Sequence, residues 1–195
     1  MSVIVLPPMP RLTRFTMRKV YSASAPQRPA FGRATAGISR MGDHWSVEVD
    51  PGALALEQGL AFIADVIEGR RTALRIPQLD VDTGALGLTI VDGAGQSGES
   101  LNVRGFEAQA VVRKGWFLSI IHAGERSTHQ ARAEAVAGAD HRVTLSIWPM
   151  LSRPYADGDA VEIVEPWIEG VLTKGGDFDV SRPASAKPDA FVIEE

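Results

Sequence analysis

The sequence predicts a mainly β protein, an antiparallel barrel or sandwich carrying one amphipathic α-helix at about residues 52–68. Three observations lead there. Between Val111 and Ile163, short runs rich in Val, Ile, Thr, Trp and Phe alternate with turn clusters at Lys114-Gly115, Ala123-Gly124-Glu125, Ala137-Gly138-Ala139-Asp140 and Ala156-Asp157-Gly158-Asp159, the spacing of an antiparallel meander. Trp45, Val47 and Val49, and again Val143, Leu145 and Ile147, recur at every second position, so each set lines one face of a strand. A helical period occurs clearly once, at Leu56, Leu60, Ile63 and Ile67. The 195 residues suffice for one sizeable core. They read as a single β-rich domain over 1–180, compatible with a division near 85–110 into two halves of one core, followed by a linker-like C-terminal arm at 181–195.

Taken in order, residues 3–6 form a short strand stopped by Pro7, Pro8 and Pro10, each of which fixes its own φ and restricts its predecessor. Residues 11–22 alternate, with Phe15, Met17 and Tyr21 on the more apolar side, as a half-exposed strand does. Residues 23–32, with Pro26, Pro29 and Gly32, read as a loop. Residues 33–49 read as a strand or strand pair broken at Met41–His44, its second part turning Trp45 to the core. Asp50 can cap the helix that follows, Pro51 suits its first turn, and Gly69 with Arg70 and Arg71 suits its end. Strands follow at Thr72–Ile76 and Leu86–Val91, then the Gly-rich loop DGAGQSGES at 92–100, then a strand through Leu101, Val103 and Gly105. Residues 130–136 have helix-forming composition, yet Gly124 and Gly138 bracket a length suited to a hairpin arm. Further strands are expected at Ala160–Val164 and around Phe178 and Val180. SRPASAKPD at 181–189 reads as a linker, and Phe191–Ile193 as a last edge strand.

Composition narrows the functional classes. Apolar residues make up 45% of the chain and charged residues 23%, with a net charge of −4, which points to neither a nucleic-acid binder nor a polybasic membrane binder. The charge is uneven: Arg11, Arg14, Arg18, Lys19, Arg28, Arg33 and Arg40 occur over 11–40 without a single Asp or Glu, whereas the last forty residues are acidic on balance. Opposite-sign ends suit contacts between neighbouring subunits as well as plain solvation. There is no cysteine, so thiol catalysis, disulfides and thiolate metal sites are excluded. The start lacks the pattern of a secretory signal, and no window approaches the roughly 20 apolar residues of a membrane helix.

No catalytic, cofactor-binding or metal site is expected. Asp80 and Asp82 before Gly84 resemble the opening of a calcium loop, but a third acidic ligand and a distal Glu are missing. The loop at 92–100 lacks the GK[ST] ending and following helix of a phosphate cradle, and reads as a flexible turn or subunit-contact loop. Of His44, His122, His129 and His141, only His122 and His129 lie on neighbouring strands and can converge, and no carboxylate at ligand spacing accompanies them. No GxSxG elbow is present. Trp45, Trp116, Trp148 and Trp167 could line a sugar-binding face, although three of them sit at alternating strand positions that suit a core.

Three segments, in order, resemble a family of structural proteins at the distal end of long non-contractile phage tails. They are HWSVEVDPGALALEQGLAFIADVIEGRRTALRIPQLD at 44–80, VDGAGQSGESLNVRGF at 91–106, and VVRKGWFLSI with VTLSIWPMLSRPYADGDAVEIV. Together they cover roughly residues 44–165. The chain departs from the family pattern at Gly115-Trp116, where a Gly-Asp pair is usual. The resemblance implies a distal tail or tail-tip protein, a virion component assembled in the host cytoplasm and located in the tail. It implies a homo-oligomeric ring, usually a hexamer, whose partners are itself, the tail tube protein and the tail-tip hub protein. No catalysis or cofactor is implied, and no nucleic-acid or membrane partner. The segments at 23–32, 92–100 and 181–189 are the expected contact arms. A carbohydrate-binding β-module and a small β-barrel enzyme, such as a flavin-binding split barrel, are the alternatives.

Overall fold

A computed structural model describes residues 3–5, 14–21, 40–67, 71–78, 86–174, 178–181, 185–188 and 190–195. In chain order its elements are β1 (Ile4–Val5), β2 (Arg14–Val20), β3 (His44–Asp50), β4 (Leu54–Ala55), α1 (Leu56–Ile67) and β5 (Arg71–Arg75). Then come β6 (Ile90–Val91), β7 (Gly98–Arg104), β8 (Val111–Val112), β9 (Phe117–His122), β10 (Glu125–Ala131), β11 (Ala135–Val136), β12 (Arg142–Leu151) and β13 (Ala160–Glu162). The last are β14 (Trp167–Lys174), β15 (Phe178–Ser181), β16 (Ser185–Pro188) and β17 (Phe191–Glu194). The protein is mainly β, as its alternation predicts.

Two compact units are present. One comprises Met1–Arg18, Trp45–Arg75 and Trp167–Glu195; the other comprises Lys19–His44 and Ile76–Pro166. In the first, a six-stranded sheet runs in the order β1-β5-β14-β17-β3-β2. Its β5–β14, β14–β17 and β17–β3 pairs are antiparallel, and β1 lies parallel to β5. Trp45, Val47, Val49, Ala73, Leu74, Ile168, Phe191 and Ile193 are buried, so the Trp45 face of β3 meets the core as alternation requires. Phe191–Ile193 is no edge: β17 lies between β14 and β3. In place of a linker, β16 pairs with both β15 and β4.

The helix begins four residues later than its capping signals suggest. The Asp50 carboxylate accepts a hydrogen bond from the Gly52 amide at 3.1 Å, closing a turn at the end of β3, and Leu54–Ala55 then pairs as β4. The buried face also differs from the predicted stripe. Leu60 is 46% exposed, while Phe62 is buried with its ring 5.2 Å from that of Phe191. At 100° per residue Leu56, Gly59 and Phe62 share one side, and Gly59 is buried there.

The second unit is a closed six-stranded barrel, in the order β10-β12-β7-β6-β13-β9, with every described pair antiparallel. Val91, Leu101, Val103, Leu118, Ile120, Leu145, Ile147 and Val161 point inward and are buried. Side chains therefore fill the lumen, as expected for so narrow a barrel. Beyond one end, β8 and β11 form a two-stranded ladder. The predicted strand at Leu86–Val91 is shorter, because Gly87 and Gly105 adopt positive φ of 74° and 92° and the backbones cross there. Residues 130–136 form no continuous arm: β10 ends at Ala131 and β11 starts at Ala135.

The barrel enters and leaves the chain at one place. Arg75 and Trp167 are directly paired on β5 and β14, and the next residues inward are tied by the Ile76 amide donating to the Pro166 carbonyl at 2.8 Å. Gln78 secures this end. Its side-chain amide donates to the Ile163 carbonyl and its oxygen accepts the Phe117 amide, both at 2.6 Å.

Candidate functional site

The polar groups of the barrel gather at the end opposite this entry, where the 92–97, 123–124 and 152–159 turns join the strands. The β9–β10 hairpin register puts His122 opposite Glu125 and His129 opposite Leu118. The two histidines converge, as their neighbouring strands allow, on Tyr155. The Tyr155 ring lies edge-on to both imidazoles, at 5.9 Å from His122 and 6.4 Å from His129. Tyr155 is fully buried and closes the barrel core at this end.

The two histidines have different surroundings. His122 Nδ1 sits 2.7 Å from Asp159 Oδ2, half-buried, and the same carboxylate oxygen accepts the Ala156 amide at 2.7 Å. His129 is buried, with Nδ1 2.8 Å from the Pro149 carbonyl and Nε2 3.4 Å from the Tyr155 hydroxyl. In the neutral ring Nδ1–H donates to the Pro149 carbonyl and Nε2 accepts the Tyr155 hydroxyl. Burial lowers its pKa from 6.5 to about 4, only partly offset by the bond to the Pro149 carbonyl.

Around this plug lies an ionic collar. Arg104 grips Asp157 through both guanidinium nitrogens and Asp92 at 2.9 Å, and Arg142 reaches the other Asp92 oxygen at 3.0 Å. The Arg104 hydrogen bonds and the Gly93 amide hold the Asp157 carboxyl down to about 2, and the two carboxylates raise Arg104 above its ordinary value. Arg153 pairs with Glu125 at 2.8 Å, and Arg126 with Glu162 at 3.3 Å.

The Gly-rich loop is pinned rather than loose. Gln96 accepts the Asn102 amide at 2.6 Å and donates to the carbonyls of Asp92, Gly93 and Asn102 at 2.9–3.1 Å. Gly95 donates to the Tyr155 carbonyl at 3.0 Å, so the loop and the plug hold each other.

In chemical terms these contacts fasten loops. His122–Asp159 is a carboxylate-oriented imidazole, and among the described residues no hydroxyl bonds its second nitrogen. Ser119 is buried and donates to Glu162 at 3.0 Å. His44 and His141 hold the carbonyls of Gly42 and Phe106 at 2.9 and 2.7 Å. No cluster of three or more metal-ligating side chains occurs among the described residues. Asp80 and Asp82, and the segment 23–32, lie outside them. Trp45 and Trp148 are buried, Trp116 and Trp167 half-buried, so no tryptophan is an exposed sugar platform. No described helix is long and apolar enough to cross a membrane.

Tyr155 and Arg104 carry this end of the barrel and are not singled out by the sequence, and Asp157 reads there only as part of a turn cluster. The one available signal was a lone aromatic within the polar 152–159 loop. Compared with known proteins, the chain matches no protein-family model and no curated protein.

Proposed function

We propose that this protein is a structural subunit of a ring at the distal end of a phage tail, joining the tail tube to the tip hub, and that its work is contact without catalysis. The observation that carries the reading is the ordered triplet of segments that resemble the tail family, at 44–80, at 91–106, and at 111–120 with 143–164. The barrel supports it by giving the second and third segments a structural rationale. Gln96 of the second segment locks its loop, and Asp157 and Asp159 of the third fasten the barrel's end. A lumen filled by side chains and the fastening role of the polar groups fit a scaffold subunit. Ring closure requires two different complementary surfaces on each subunit.

Electron microscopy and analytical ultracentrifugation of the purified protein test the reading, together with antibody labelling of intact tails. Closed rings and label at one tail end are expected. A strict monomer at high concentration, with unlabelled tails, rejects it.

A further inference from the structure

We propose that His129 and Tyr155 form an acid-released latch that frees the Tyr155 part of the 152–159 loop from the barrel end while the Asp157 tether and the barrel itself stay closed. Above neutrality His129 is neutral, donating from Nδ1 to the Pro149 carbonyl and accepting the Tyr155 hydroxyl at Nε2. A proton on Nε2 forces the Tyr155 hydroxyl to turn from donor to acceptor, and it leaves an imidazolium buried at 2% exposure with no anion to pair with among the described residues. Among the described residues its packing neighbours supply none. β9 presents Leu118 across the hairpin, Pro149 of β12 offers a carbonyl, and the loop offers the Tyr155 hydroxyl. The ionisable groups at this end are engaged elsewhere: His122 with Asp159 beyond the Tyr155 ring, and Glu125 with Arg153. Swinging Tyr155 outward hydrates the imidazolium.

The release is confined to the latch. Asp157, held down to about 2 by Arg104, still tethers the loop to the barrel at pH 4. Because burial lowers the folded-state pKa of His129 from 6.5 to about 4, its contribution to loop closure is complete above pH 6.5. That contribution is lost progressively as pH falls toward 4.

Amide hydrogen exchange on the intact protein, followed by NMR and corrected for intrinsic chemistry, tests the latch. The Gly95 amide reports the Tyr155 carbonyl, the Gly93 amide reports the Asp157 tether at 2.8 Å, and Val103 and Leu145 report the barrel ladder. Between pH 6.5 and 4 the Gly95 amide loses protection by at least about tenfold, whereas Gly93, Val103 and Leu145 keep theirs. In His129→Asn, which keeps a donor for Pro149 but does not titrate, Gly95 protection stays level. Three results overturn the latch: wild-type Gly95 protection that ignores pH, the same loss in His129→Asn, or loss at Gly95 and the ladder together. Should His129→Asn fail to fold, the wild-type ring signals decide. The Gly95 midpoint must coincide with His129 titration, and one that tracks His122 rejects the proposal.

Discussion

At Gly105 a single hydrogen atom in place of a side chain decides whether two backbones can cross. A Cβ there would lie 2.1 Å from the Leu88 carbonyl oxygen, and φ is 92°; at Gly87 a Cβ would lie 2.3 Å from the Gly105 oxygen. Neither clash can be relieved by rotating a flexible side chain. Gly124, at φ 82°, has nothing within 4 Å of such a Cβ, so only backbone strain opposes a substitution. Gly105→Ala is expected to destabilise the protein by about 3 kcal/mol or more, and Gly124→Ala by about 1 kcal/mol, in urea denaturation. Equal effects at the two sites would discount the crossing. Alternation alone carried the strand through Gly105, because nothing in the local pattern announces a crossing with a segment remote in sequence. The same limit hid Tyr155. The convergence of His122 and His129 was legible from their hairpin, but their shared target arrives on a separate loop.

Among the elements, the Gly-rich 92–97 turn most changes its meaning. Its glycines predict flexibility, and Gly93 and Gly95 do take positive φ. Gln96 nevertheless folds back to satisfy three carbonyls and one amide, doing with a side chain what a strand ladder does elsewhere. Gln96→Ala is expected to cost about 1–2 kcal/mol, and Gln96→Glu more, since a carboxylate would face the same carbonyls without a donor. Melting curves check both, and a Gln96→Ala protein as stable as wild type would return the loop to the flexible class. Strand identity was largely legible from period-2 patterns at Trp45–Val49, Leu118–Ile120 and Val143–Ile147. Helix position was less so, because Asp50 serves a turn and a capping residue looks the same in either use. The placement of β17 inside its sheet depends on pairing with β3, far away in the chain, and local pattern has no access to that.

Over the whole molecule, the decisive fact is that β5 and β14 are sheet neighbours although the entire barrel lies between them in sequence. The chain leaves one ladder at Arg75, builds a closed barrel, and returns at the directly paired Trp167. The Ile76–Pro166 hydrogen bond brings the barrel's two ends together, so excision strains neither end. The barrel also buries its own cluster, from Leu86 and Val91 through Leu145 and Ile147 to Val161 and Ile163. Residues 76–166 are therefore expected to fold alone, with a single cooperative unfolding transition and a dispersed NMR spectrum. The excised barrel lacks Lys19, whose ammonium lies 4.6 Å from the Trp148 ring centre, and Tyr21, whose ring lies edge-on at 5.9 Å. Trp148 should then be more open to iodide quenching, and the barrel less stable by about 1–2 kcal/mol than in the full chain. Adding back residues 19–44 should restore both. A fragment that collapses without fixed side-chain signals would mean that the barrel depends on the rest of the chain, and that its closed ladder is not a sufficient folding unit.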